Sequence, residues 1–323
     1  MPTAADYLAF RQQGGIADLS ARTKLRLTGA DRVRYLNGQA TANITRITPD
    51  KAMPGCITTA KGKLCGEVMI TATPDSLLID AEPELRESLM ARLERYIISD
   101  DAVLEEVTEA WSLIHLLPAE NQSVDSTQPA DIARYFPHVS RRFGPLGLDF
   151  FVPASEAEGV IHQLAAENAK PVLLSAELLD SLRIEHGIPR WGRELDENTL
   201  PPEAGLDRTH IDYQKGCYIG QEVISRLKSV GHVNRQLAGF TVAATSPGDA
   251  EVPLAAGMRI AASADSNKEA GILTSAAYSF ALSKSIALGY LKRGVPQEGL
   301  VAYPLNAESS GIPVFVHQLP FVS

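Results

Sequence analysis

One cysteine stands in a sequence context that favours a reactive thiolate. Cys217 lies in the segment KGCYIGQE, residues 215–222, two residues after Lys215. The apolar residues that follow have helical spacing and predict a helix that begins near Gly220. A positive charge and a helix N-terminus both stabilise a thiolate. We therefore predict an accessible, reactive thiol at Cys217 with Lys215 beside it, and Gly216 lets the backbone approach closely. A small, buried cysteine is the alternative.

The other two cysteines, Cys56 and Cys65, lie in β-leaning segments without an adjacent helix start, and we predict that they are structural. Three cysteines are too few for a disulfide framework in a chain of 323 residues, which favours a reducing compartment. Iron–sulfur clusters are usually held by four thiolates. We therefore expect no metal site in this chain.

Glu185 is a carboxylate in an unfavourable position. Ser175, followed by Glu177 and an apolar run, predicts a helix whose last turn contains Glu185. The helix dipole disfavours an anion there by ~0.3–1 kcal/mol. Two carboxylate oxygens suit a ligand that offers two adjacent N–H donors, as an aminopyrimidinone ring does. The alternative is a salt bridge to one of three nearby arginines, Arg183, Arg190 or Arg193.

Aromatic and basic side chains near these residues can complete a ligand site. Tyr218 and Trp191 offer flat faces to an aromatic ligand, although each is also a common core residue. Basic residues outnumber acidic ones over residues 207–235, whereas acidic residues are in excess over the whole chain. The basic residues are Arg208, Lys215, Arg226, Lys228 and Arg235. This excess predicts a local anion pocket that includes Arg226, with a solvated basic face as the alternative.

The elements that must position these residues indicate an α+β protein with antiparallel sheets, because strands and helices do not alternate regularly. A strand is predicted at 24–27, a three-stranded meander at 56–59, 64–71 and 76–80, and two more strands at 103–107 and 111–117. A helix is predicted at 84–97 and a polar surface loop at 119–131. A second unit has a strand at 146–152 and a helix at 155–168. Short β-like runs after Gln236 are typical of a small barrel. We predict two α+β units in residues 1–236 and a β-barrel domain in 237–323.

Composition excludes several classes of protein. The hydrophobic content of 45 % and charged content of 21 % are those of a globular chain. Thirty basic against thirty-nine acidic residues give a net charge of −9, which argues against broad attraction to nucleic acid or anionic lipid. The chain contains no run of ~20 apolar residues and no signal-like start, so we expect a cytoplasmic protein without a membrane partner.

Several motifs together resemble a known family. The segment KGCYIGQE is preceded by RIEHGIP at 183–189, GREL at 192–195 and PEAGL at 202–206. This combination resembles the YgfZ family of folate-binding proteins, which is related to the glycine-cleavage T-protein. The N-terminal stretches LSAR, LTGADR and YLNGQ, within residues 19–39, are similar to the start of the same superfamily. The resemblance spans nearly the whole chain.

The resemblance implies two intertwined ferredoxin-like units around a folate cleft, followed by a C-terminal β-barrel. It also implies tetrahydrofolate or a one-carbon derivative as cofactor, and transient partners among iron–sulfur client enzymes or assembly factors. Glu185 matches the glutamate that contacts the pterin ring, and Cys217 is the residue most closely tied to function in the YgfZ branch. We assign Tyr218 and Arg226 to the same cofactor site.

One segment departs from the T-protein pattern. T-proteins carry Asn-Ala and, a few residues later, an aspartate near the reacting folate nitrogen, whereas residues 80–87 read DAEPELRE. No aspartate stands at that place, which counts against aminomethyl transfer, although Glu84 or Glu87 remains open as a substitute. The leading interpretation is thus a folate-dependent accessory protein for iron–sulfur enzymes, with turnover left open. A folate-dependent aminomethyltransferase and, less favoured by the charge, a tRNA- or nucleic-acid-binding module are the alternatives.

Overall fold

The architecture comes from a computed structural model that describes residues 2–124, 134–167, 170–242, 254–263, 268–304 and 311–322. Part of the predicted polar loop at 119–131 and the last residue of the helix predicted at 155–168 lie outside these ranges. No helix in the described ranges has the length and apolar character needed to cross a membrane.

The chain opens with helix α1 (Ala4–Gln13) and strand β1 (Gly15–Asp18), and then builds a first five-stranded antiparallel sheet. Its strands are β2 (Thr23–Thr28), β3 (Met53–Thr58), β4 (Leu64–Ala72), β5 (Leu77–Ala81) and β6 (Val103–Glu106), in the order β3-β4-β5-β2-β6. Helices α2 (Arg32–Gln39) and α3 (Arg86–Glu94) pack on this sheet through buried residues such as Leu36 and Leu89. The helix predicted at 84–97 is thus shorter, because Pro83 opens a 3-10 turn before it.

A second sheet completes the first 185 residues. Its later strands are β7 (Trp111–Leu117), β8 (His138–Ser140), β9 (Gly147–Pro153) and β10 (Val172–Leu173), in the order β10-β1-β7-β9-β8. Because β1 belongs to this sheet while β2–β6 form the other, the two units are intertwined. Helix α4 (Ala157–Glu167) packs on this sheet. Helix α5 (Ala176–Glu185) begins as predicted at Ser175, whose hydroxyl accepts the backbone N–H of Leu178 at 3.2 Å.

A connecting segment leads from α5 to the last domain and holds helix α6 (Gln221–Ser229). A closed barrel follows, in the order β11-β14-β13-β12-β15-β16. Its strands are β11 (Arg235–Val242), β12 (Arg259–Ala261), β13 (Glu269–Ser279), β14 (Lys284–Lys292), β15 (Val301–Tyr303) and β16 (Ile312–His317). The predicted α+β class and the C-terminal barrel are confirmed.

A buried charged cluster joins the two sheets. Arg142 donates two hydrogen bonds to Asp80 at the end of β5, at 2.8 and 2.7 Å, and its Nε donates to Asp149 on β9 at 2.9 Å. Asp149 also pairs with His115 on β7 at 2.7 Å. Burial opposes ionisation of Asp149, but Arg142 and His115 outweigh it and hold the pKa of this carboxyl well below its usual range. The cluster therefore fixes how the two units pack.

Candidate functional site

The KGCYIGQE segment is held against the first sheet by a buried lysine. The Lys215 Nζ donates to the carbonyls of Asn37, Ala40 and Ala42 at 2.6, 2.7 and 2.6 Å. Only 7 % of the residue is exposed, and burial lowers its pKa to about 8. All three N–H donors of the ammonium are used, so Lys215 anchors the loop at the C-terminal end of α2. Its predicted role beside the thiol stays a prediction.

Close backbone contacts fix the other end of the segment. The Ile219 N–H donates to the Gly38 carbonyl at 3.2 Å, and the Thr58 hydroxyl donates to the Ile219 carbonyl at 2.6 Å. Gly220 has a φ of +91°, and a Cβ there would lie 2.6 Å from the Thr58 hydroxyl. Glycine is therefore required at this position. The prediction that Gly216 allows the close approach is wrong, because a Cβ there would meet nothing within 4 Å.

Cys217 is exposed on this anchored loop, four residues before α6 begins at Gln221. Cys56 is fully buried on β3, and burial raises the pKa of its thiol. Cys65 on β4 is half-buried, and burial raises the pKa of its thiol as well, with Arg92 partly opposing. Cys217 is thus the thiol that solvent and partners reach most easily, and the alternative of a buried Cys217 is wrong.

Two tyrosines behind the loop bury hydroxyls that have no hydrogen-bond partner among the described residues. They are Tyr213 and Tyr218, and burial raises the pKa of both phenols, that of Tyr213 to about 12. The Lys215 Nζ stands 5.2 Å from the Tyr218 ring centre, so this ring packs on the anchor. Tyr213 had no distinguishing signal in the sequence beyond its position before the motif. The two hydroxyls leave polar capacity that a water or ligand can satisfy.

Glu185 is the last residue of α5, as predicted, and only 2 % of it is exposed. Its Oε1 accepts the Ser279 hydroxyl of β13 at 2.6 Å, and its main-chain carbonyl accepts the Phe321 N–H at 2.8 Å. Burial raises its pKa, while Ser279 and the Ala281 N–H oppose the shift. The carboxylate therefore ties α5 to the barrel.

The expected salt bridge of Glu185 to a neighbouring arginine is wrong. Arg183 pairs with Asp180 at 2.5 Å and Glu194 at 2.9 Å, and Arg190 pairs with Glu82 at 3.1 Å. No ion pair within the described ranges involves Glu185. A carboxylate offers about four lone-pair sites, so it keeps acceptor capacity for the N–H donors of a ligand. These acceptors match the adjacent N–H donors of a pterin ring such as that of tetrahydrofolate.

Arg226 and Trp191, the other side chains considered for the ligand site, lie outside helix α5. Arg226 is exposed in the last turn of α6. Trp191 is half-buried and packs against both the core of the first sheet and the core beneath the barrel. This packing agrees with the alternative that Trp191 is a core residue. No hydrogen bond or ion pair among the described residues joins Glu185 to Cys217. Glu185 is tied to the barrel through Ser279, and Cys217 lies on the loop that is anchored to the first sheet.

The segment that departs from the T-protein pattern places no free aspartate in a site. Asp80 is buried and paired with Arg22 at 2.6 Å as well as with Arg142. Glu84 and Glu87 are both exposed. The sequence did not indicate this ion-pair cluster, although Asp149 inside the apolar run LDFFVP was a signal of a buried charge. No group of three or more His, Cys, Asp or Glu side chains in the described ranges could hold a metal ion.

Comparisons with known proteins agree with this architecture. The crystal structure of the glycine cleavage system aminomethyltransferase T from Bartonella henselae superposes with a TM-score of 0.82, at 17 % identity, over 99 % of this chain and 89 % of that one. The chain has the T-protein fold. Residues 235–322 match the family model of the glycine cleavage T-protein C-terminal barrel domain. These matches support the T-protein superfamily, as the sequence motifs implied.

Two sequence relatives differ in what their names say. An aminomethyltransferase of Rubrobacter xylanophilus is 25 % identical over 335 residues, covering 98 % of this chain and 85 % of that protein. A mitochondrial iron–sulfur cluster assembly factor homologue of Chaetomium globosum is 28 % identical over 256 residues, covering 69 % of this chain and 55 % of that protein. The chain is therefore similar in sequence to relatives with different named functions.

Proposed function

We propose that this protein binds tetrahydrofolate or a one-carbon derivative and supports the assembly or repair of iron–sulfur clusters in client enzymes. In this proposal Cys217 is the reactive thiol on which the function depends. The observation that carries it is the exposure of Cys217 on a loop that Lys215 and Gly220 hold rigidly to the first sheet. A structural cysteine is usually buried, as Cys56 is, whereas a thiol that meets partners must be exposed.

The folate part of the proposal rests on Glu185 and the fold. A buried carboxylate with a raised pKa and no ion pair among the described residues is suited to a ligand that donates hydrogen bonds. Ser279 and Ala281 hold the carboxylate in one orientation, so its remaining lone pairs face a fixed direction. In the bound complex Glu185 would accept the N–H donors of the pterin, and the folate would supply the one-carbon chemistry. Tyr218 and Arg226 remain proposed members of this site.

The iron–sulfur part rests on the thiol and on one relative's name. The fungal relative is named an iron–sulfur cluster assembly factor homologue, and the present chain carries an exposed cysteine suited to transient contact with a partner. The partners we propose are client enzymes or assembly factors that bind transiently.

A folate-dependent aminomethyltransferase is the second candidate, because several relatives carry that name. Two observations count against it, since a group that acts on folate must reach the reacting nitrogen. Asp80 is held in ion pairs with two arginines, and Glu84 and Glu87 are exposed to solvent. Formation of methylene-tetrahydrofolate from an aminomethylated lipoyl donor by the purified chain would favour this candidate over the first.

A complementation experiment tests the proposal. A strain lacking its own folate-binding accessory protein for iron–sulfur enzymes is given the wild-type chain, Cys217→Ser or the matched control Cys65→Ser, and iron–sulfur enzyme activities are measured. We expect wild type and the Cys65 variant to restore activity and the Cys217 variant to fail, with equal amounts of folded protein. Full restoration by Cys217→Ser would show that the thiol is dispensable.

A further inference from the structure

A cleft of about 480 Å³ lies beside the C-terminal end of α6. Its walls come from three places: the end of α6, the 3-10 turn Leu206–Arg208, and the barrel strands β11 and β14 with the loop after β14. The ring of Tyr213 also lines it. Neither Cys217 nor Glu185 lines this cleft, so it is a separate candidate site.

The charges that line the cleft are unbalanced. Arg208, Lys228 and Arg293 are exposed, come from three different elements, and have no carboxylate partner among the described residues. The Lys228 Nζ stands over the Tyr213 ring, 5.0 Å from its centre. Asp207 is the acidic residue that lines the cleft. A net positive cleft in a chain of charge −9 is a local feature and not part of the general surface.

Two further cations in the cleft are already neutralised. The Arg235 Nε donates to Glu203 at 3.0 Å, and the Lys292 Nζ pairs with Glu269 at 2.8 Å. Arg235 and Lys292 provide an internal comparison, because they line the same cleft but are already paired with carboxylates. The three unpaired cations are therefore the groups that a ligand would engage.

We propose that this cleft binds a small molecule that carries at least two phosphate or carboxylate groups. Guanidinium and ammonium groups match both kinds of oxyanion, and guanidinium binds them in bidentate geometry. One exposed ion pair contributes little, so a ligand must engage several cations at once. A nucleic acid fits less well, because a long polyanion would extend beyond the cleft onto the surface of a chain whose net charge is −9.

Calorimetric titration of the full chain with inorganic tripolyphosphate and, separately, with citrate tests the proposal. We expect at least one to bind saturably, with an affinity that falls as NaCl rises from about 50 to about 300 mM, because salt screens exposed charges. Binding of tripolyphosphate alone identifies a phosphate ligand, and binding of citrate alone a polycarboxylate.

Variants of the cleft sharpen the test. Arg208→Gln and Arg293→Gln should each weaken binding about two- to fivefold, the effect of one exposed ion pair. Lys292→Gln is the matched control and should weaken binding less than Arg293→Gln, because Glu269 already holds this lysine in an ion pair. The proposal is overturned if neither probe binds, if Lys292→Gln weakens binding as much as Arg293→Gln, or if a short single-stranded RNA binds more tightly than both probes.

Discussion

Replacing Lys215 with methionine should destabilise the protein strongly, because three main-chain carbonyls lose their donor at once. Methionine keeps the length and apolar stem of the side chain but donates no hydrogen bond. A buried polar group left without a partner costs about 1–3 kcal/mol. The bonds to Ala40 and Ala42 are buried, whereas water can replace the bond to Asn37, which is half-buried. We therefore expect the free energy of unfolding to fall by about 2–6 kcal/mol for two such groups.

Urea unfolding followed by circular dichroism measures this loss against a total stability of about 5–15 kcal/mol. Lys228→Met is the matched control: its side chain is exposed and contacts the Tyr213 ring, so it should cost less than about 1 kcal/mol. Alkylation of Cys217 should also change in rate in the Lys215 variant, because the loop is released. A loss for Lys215→Met within about 0.5 kcal/mol of the control would refute the anchoring role, since that is the range of ordinary surface changes.

Three further predictions concern other parts of the fold. Asp149→Asn should lower the free energy of unfolding at pH 7 by about 3–5 kcal/mol, because Arg142 stays buried with less compensating negative charge. Since the pKa of Asp149 is depressed, the wild type loses this advantage as the pH falls below the ordinary aspartate value. Equal urea midpoints of the two proteins at pH 7 would contradict the prediction. Gly220→Ala should cost about 1–3 kcal/mol for its left-handed backbone, whereas thermal unfolding of Gly216→Ala should match the wild type. Equal losses in the two variants would contradict the difference in constraint between these glycines. Burial lowers the pKa of Lys24 to about 8, so the folded state releases this proton at a lower pH than the unfolded state does. The free energy of unfolding of the wild type, relative to that of Lys24→Met, should therefore rise between pH 8 and about 10. A difference between the two proteins that stays constant over that range would contradict the prediction.

Local patterns predicted the elements that local chemistry determines. The strand at Trp111–Leu117 follows from its apolar and β-branched run, and α5 begins at Ser175 because a serine hydroxyl can cap the first backbone N–H groups. The barrel was visible in short β-like runs separated by turn residues. The exposed thiol of Cys217 was also predicted, because the motif around it is local.

Contacts between distant residues could not be predicted in this way. The carbonyls that hold Lys215 lie 173–178 residues before it, so the sequence presented its charge as free. Gly216 and Gly220 bracket Cys-Tyr-Ile symmetrically in the sequence, and the left-handed backbone of Gly220 and the approach of Thr58 distinguish them in the structure. Glu185 had three arginines nearby in sequence, yet its partner Ser279 comes from a barrel strand 94 residues later.

Equilibrium binding of tetrahydrofolate to the purified chain tests the central claim most directly. We predict saturable binding in anaerobic calorimetry, and an affinity about 5- to 150-fold weaker for Glu185→Gln, the equivalent of about 1–3 kcal/mol for an unpaired ligand donor. The variant should keep the wild-type melting temperature, because a glutamine oxygen can still accept the Ser279 hydroxyl. An absence of binding by the wild type, or an unchanged affinity in a folded Glu185→Gln, would contradict the account.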